Sequence, residues 1–194
     1  MELDVIKSVV KDKLSQDLNL PRFGWDNPRY YELETPSRAV MSSYQNANRW
    51  LDTIKEHILI NLNLPYFSHI VHELAHSMPT RFDQFGEILH KENLLVPYPS
   101  TEEWLNSCGD VRDCINIIYD ILGQIKLDIL SFKEVSEHAG LIHMSVACDT
   151  LLLDIQDEYE FYYRIEGMLD YFGTNLSAWD KHVHQYYSDM KSLI

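Results

Sequence analysis

Val40, Tyr44, Ala47, Leu51, Ile54, Ile58 and Leu62 follow one another at intervals of four, three, four, three, four and four residues. At 100° per residue this is one apolar stripe on a helix of about seven turns. A stripe of that length must be covered along its whole length, and the sequence supplies three partners. A second long helix opens at Pro65 and carries Ile70, Leu74, Phe85 and Leu89. A third runs over about 110–137 through Ile117, Ile121, Ile125 and Leu130, and a fourth over about 141–172 through Leu151, Ile155, Tyr159, Tyr162, Ile165 and Leu169.

The punctuation agrees with this division. Thr35 with Pro36 predicts an N-cap and first helical residue, NLNLP at 61–65 breaks the first helix from the second, and Gly140 separates the third from the fourth. Pro79 predicts a kink or short break at 77–80, because it removes a backbone donor. Ser100 with Glu103 has the form of a capping box and predicts a short helix over 101–107. An amphipathic segment at 2–18 and a turn-rich connection at 19–35 precede the bundle, and NLSAWDKHVHQYYSDM predicts a last helix after Gly173. No strand pattern competes. The expected fold is all-α: a four-helix bundle over 36–172, with an N-terminal helix and extended connection at 1–35, a short helix between helices 2 and 3, and a C-terminal helix at 173–194.

Thirty acidic residues stand against 16 Lys and Arg, a formal charge of −14. Such a surface disfavours nucleic acid, whose affinity comes from neutralising phosphates, and suits cations. Residues 1–35 hold five basic and seven acidic side chains, so no basic tail offsets this and DNA binding is not expected. Cys108, Cys114 and Cys148 lack CxxC spacing and read as reduced thiols. Charges interrupt the opening MELDVIKSVVKDKL, and no apolar run is long enough for a membrane span, so a soluble cytoplasmic protein is expected.

The chemistry concentrates in HIVHELAHSMPTRFDQFGEILH at 69–90. His69, Glu73, His76, Thr80, Asp83, Glu87 and His90 recur at helical spacing along one side, with His72 beside them. A solvated helix face normally mixes Lys or Arg with its acids. Here Arg81 is the only Lys or Arg between 58 and 90. Imidazoles and carboxylates fixed on one helix suit iron, manganese or zinc. The preceding helix adds Glu56 and His57, expected level with about 70–73. HELAH is also the short zinc-hydrolase signature, with His72 and His76 as ligands and Glu73 as general base. A third ligand would come from Asp83, Glu87 or His90, but the downstream glycine turn of the longer signature is missing.

Read in order, His57, His69, Glu73 and the DQFGE of Asp83 and Glu87 resemble the ferroxidase ligands of the Dps-like branch of the ferritin superfamily. His57 and His69 are twelve apart, Glu73 follows at four, and PSTEEWLNS at 99–107 resembles the family's small helix in the second connection. The sequence departs where Ile58 and NLNLP replace a tryptophan and glycine, where Glu73 replaces an aspartate, and where the step to Asp83 is one residue short. A different register would bring in Glu56 and His72 instead. The resemblance implies oxidation of Fe²⁺ by peroxide or oxygen, protection against oxidative stress, and storage of ferric iron in a homo-oligomeric, dodecamer-like shell. It also implies a site shared between subunits, with His57, His69 and Glu73 from one and Asp83 and Glu87 from its neighbour. Zinc would suit the same donors. Two rival readings are a non-enzymatic helical interaction protein with a degenerate metal site, and a zinc hydrolase built on HELAH.

Overall fold

The computed structural model describes residues 30–94, 99–103 and 108–192. They form five α-helices: α1 (Glu34–Ile60), α2 (Pro65–His90), α3 (Val111–His138), α4 (Ile142–Phe172) and α5 (Leu176–Lys191), preceded by a 3-10 turn at Tyr31–Leu33. The described residues contain no strand, and none of their helices is long and apolar enough to cross a membrane. The segment expected to be helical at 2–18 lies outside the described residues.

The first helix begins earlier than Thr35 and Pro36 suggest: Leu33 is its N-cap, without a side-chain cap bond, and is itself fully buried. The stripe from Val40 to Ile58 is buried throughout, and Leu62 packs against the same core. Asn63, at φ 53°, turns the chain, and Pro65 opens α2 where its missing N–H costs nothing. α2 has no side-chain cap of its own. Asp180 of α5 supplies one, its two carboxylate oxygens accepting from Phe67 N at 2.7 Å and Tyr66 N at 3.2 Å.

α2 is continuous through Pro79, without the short break that 77–80 could have held. Pro79 cannot donate to the carbonyl four residues back, which is that of Ala75. Asn48 Nδ2 of α1 donates to Ala75 O at 2.8 Å instead. The neighbouring helix thus replaces the lost bond, and the helix has no reason to open.

Between α2 and α3 the described residues meet α1 at three levels. Near the start of α1, Tyr30 OH donates to Glu92; midway, Glu102 N donates to Asn46 Oδ1 at 2.8 Å and Trp50 Nε1 to Glu102 O; at its end, His57 Nε2 donates to Gly109 O at 3.1 Å. α3 therefore starts beside the end of α1 and runs antiparallel to it, parallel to α2. Of the short helix expected at 101–107, residues 101–103 are described and are not helical. Asn46 there binds the Glu102 N–H that the first turn of such a helix would leave free. Residues 104–107 lie outside the described residues.

α3 opens with a reciprocal capping box between Asp110 and Asp113 and closes on a Schellman motif. In that motif Gly140, at φ 71°, gives its N–H to Glu137 O while Leu141 N reaches Ser136 O. α4 then packs back along α3, closely enough that a Cβ on Gly123 would lie 2.7 Å from Tyr159 Oη. α5 lies against α2 and α4, anchored by the buried Trp179, whose Nε1 donates to Ile165 O at 3.0 Å.

Asn48→Ala should cost about 1–3 kcal/mol in urea unfolding, because it orphans a carbonyl. In a Pro79→Ala background the restored N–H makes Asn48 redundant, so the same substitution should cost clearly less. Equal costs in the two backgrounds would refute the compensation.

Candidate metal-binding face

The bundle interior is not where the donors gather. The buried polar residues described are Ser37, Asn46, Ser68, Ser136, Ser145 and Asp180, with no histidine among them. The least exposed ion pair among the described residues joins α2 to α4: Arg81 Nη2 donates to Glu158 Oε1 at 2.8 Å. Burial pushes the Glu158 carboxyl up and Arg81 draws it back, with a net rise. A depression of ≈ 530 Å³ on α3 and α4, lined by Tyr119, Gln156, Tyr159 and Tyr163 among others, has no histidine on its walls.

The donors lie on the outer side of α2, split between its two flanks. On the α5 flank, His69 Nε2 sits 3.1 Å from Glu73 Oε1, and Glu73 Oε2 accepts from Tyr187 OH at 2.8 Å and from Lys191 Nζ. Burial opposes the charged form of Glu73. The hydrogen bonds from Lys191 and Tyr187, with the charges of Lys191 and His69, outweigh it and hold the carboxyl below its ordinary pKa. An ammonium therefore occupies the position beside Glu73 that a cation would take.

On the α1 flank, His72 Nδ1 lies 3.1 Å from Asp52 Oδ1, and the rings of His72 and His76 meet edge to face with centroids 4.2 Å apart. Further along α2, Asp83 and Glu87 are exposed, as is His90. Asp83 borders a cleft of ≈ 160 Å³ with Tyr44, Gln45, Asn48, Pro79 and Phe82.

Of the residues expected from sequence, the structure thus brings His69 to Glu73 and His72 to His76. His57 is elsewhere. Its Nε2 donates to Gly109 O at the end of the crossover and its Nδ1 accepts from Asn61 Nδ2 in the cap of α1 at 2.9 Å, so both ring nitrogens are engaged. Asp83 and Glu73, ten residues apart on one continuous helix, are separated by about 15 Å along it and cannot share an ion within one chain. Only a second copy could bring Asp83 and Glu87 to His69 and Glu73. The register of α1 on α2 differs slightly from expectation: Ser68 Oγ donates to Lys55 O and Asp52 meets His72, so Glu56 stands level with about residue 68. Asp52 was not singled out in the sequence. The signal that could have found it is its place one turn before Glu56 on the flank facing α2.

No model of a known protein family matches the chain, and neither does any curated protein.

The Glu73–Lys191 contact makes the docking of α5 pH-dependent. A depressed carboxyl stabilises the fold above its ordinary value of 4.5, and that contribution is lost as pH falls through the lower, folded value. Lys191 is raised: burial opposes its charge, but Glu73 and Tyr187 outweigh it, so its share is present below 10.5 and lost above. In urea melts the stability advantage over Glu73→Gln should be full at neutral pH and shrink below 4.5. An advantage independent of pH would refute the assignment.

Proposed function

We propose that the chain is a ferritin-like, Dps-related protein that takes up Fe²⁺ on the outer face of α2, oxidises it and stores the ferric product in an oligomeric shell. The observation that carries this reading is the crossover. Two antiparallel helix pairs, with the described part of the connection between them lying against α1, fit the single long crossover of ferritin-like four-helix bundles. The donors on α2 support it, because a site completed across subunits needs half of its ligands exposed, and Asp83 and Glu87 are exposed. The formal charge of −14 would concentrate cations around such a shell.

Fe²⁺ is the substrate. Each ion gives up one electron, so two ions reduce one peroxide, with two protons, to two waters. His69 and Glu73 would receive iron on one subunit, and Asp83 and Glu87 would close the site from its neighbour. The carboxylates favour the ferric product, while the imidazole keeps affinity moderate enough for iron to move on. Lys191 must leave Glu73 for iron to enter. His57, fastened to Gly109, would join only if the end of the crossover shifted.

The second reading, a bundle that binds partners without oxidising iron, is favoured by one observation: Lys191 and Tyr187 already satisfy Glu73. A hydrolase on HELAH is disfavoured by the same contact, since its general base would be Glu73.

Aerobic Fe²⁺ addition should give a ferric absorbance rise faster than in buffer, and light scattering should report a particle many times the 22.8 kDa chain. Asp83→Ala should slow oxidation by roughly 10-fold or more, as expected for loss of a direct ligand. Lys191→Met should speed iron uptake. Oxidation no faster than in buffer, together with a monomer, would favour the partner-binding reading.

A further inference from the structure

Asp52 of α1 with His72 and His76 of α2 is the one group among the described residues in which three metal-type donors converge. One ligand atom from each lies within 4.8 Å of the other two. We propose that these three side chains form a separate site for a divalent transition ion of the Zn²⁺ class, with its outward position completed by water. It lies outside the donor set that the iron reading uses on the α5 flank of α2.

The backbone fixes this convergence from both sides. Asn48 reaches Ala75 O one turn before Asp52 on α1, and Lys55 O receives Ser68 Oγ one turn after it. Asp52 stands between those two interhelical bonds and is held opposite His72. His76 lies one turn further along the same face of α2, which is the His-x-x-x-His spacing that two imidazoles need to share an ion. A tetrahedral ion with bonds of about 2.0–2.1 Å needs ligand atoms about 3.4 Å apart. Side-chain rotation alone can close the remaining gap, because His76 is exposed and His72 and Asp52 are each about two-fifths exposed.

The donor set selects the ion. Two imidazoles and one carboxylate suit Zn²⁺, Fe²⁺, Co²⁺ or Cu²⁺, whereas Ca²⁺ and Mg²⁺ need oxygen cages. Lys55 does not block it: its Nζ is 2.8 Å from Glu56 and 3.8 Å from Asp52, so Glu56 keeps the ammonium when an ion binds. Nor is this a hydrolase centre, for Glu73 turns to α5. The site binds an ion and clamps α1 to α2.

The test is calorimetric titration of the full-length chain with ZnCl₂ at neutral pH, with CoCl₂ as a spectroscopic probe. One ion per chain is expected, with visible Co²⁺ bands of four-coordinate intensity and a higher melting temperature when Zn²⁺ is present. Asp52→Asn, His72→Ala and His76→Ala should each weaken binding by about 10- to 100-fold or more, since a direct ligand matters at least as much as an outer partner. His138→Ala, a control for stray imidazole binding, should change nothing. His76 is exposed, so its removal leaves the core intact and its variant can be read without ambiguity. Absence of Zn²⁺ binding would overturn the proposal, as would affinity unchanged in His76→Ala or lost instead in Asp83→Ala. Zn²⁺ cannot be oxidised here, so failure of iron oxidation leaves this result standing, and the reverse holds too.

Discussion

The hydrogen bond from Asn48 to the carbonyl of Ala75 decides how the donor face is arranged. Pro79 should interrupt α2, and an interruption would rotate everything after it relative to everything before. Because Asn48 takes the orphaned carbonyl, the rows on α2 keep one phase from His69 to His90. One amide side chain on α1 thereby settles which residues share a flank, and the same bond fixes the level at which α1 meets α2.

With the phase fixed, α2 presents two different environments. Towards α1 its imidazoles meet Asp52, a carboxylate whose partners among the described residues are His72 and a distant Lys55. Towards α5 its carboxylate meets Tyr187 and an ammonium. The first flank is open to a cation and the second is filled by one. Arg81 belongs to neither: it turns inward to Glu158, with its side chain 11% exposed against 27% for its partner, and ties α2 to α4. That pairing explains how the single Arg or Lys between 58 and 90 can lie on a donor-rich helix without neutralising its outer face.

The architecture was legible because its signals are local and periodic. The Val40–Ile58 stripe, Pro65 at a helix start and Gly140 in a left-handed turn each act within a few residues. Less legible were local signals that partners far along the chain modify. Ser100 and Glu103 have capping-box spacing, but 101–103 are not helical and Asn46 and Trp50 bind the Glu102 backbone. Pro79 has the form of a helix break, and Asn48 takes up the carbonyl that it orphans. Ligand spacing along the sequence was the least informative signal, because it cannot say which flank of α1 faces α2. His57 and Asp52, five residues apart, point about 140° apart on a helix. Only the packed pair shows that Asp52 faces the histidines and His57 faces the crossover.

The helix α5 is fastened at its two ends by charges of different character. At its start, Asp180 is 3% exposed and binds fixed backbone N–H groups beside the buried Trp179. At its end, Lys191 is half exposed and reaches Glu73 through a flexible stem. Dissolved salt weakens the exposed contact far more than the sheltered one. Ionic strength therefore acts on α5 as on a latch with a rigid pivot, loosening the tip over Glu73 while the root stays seated.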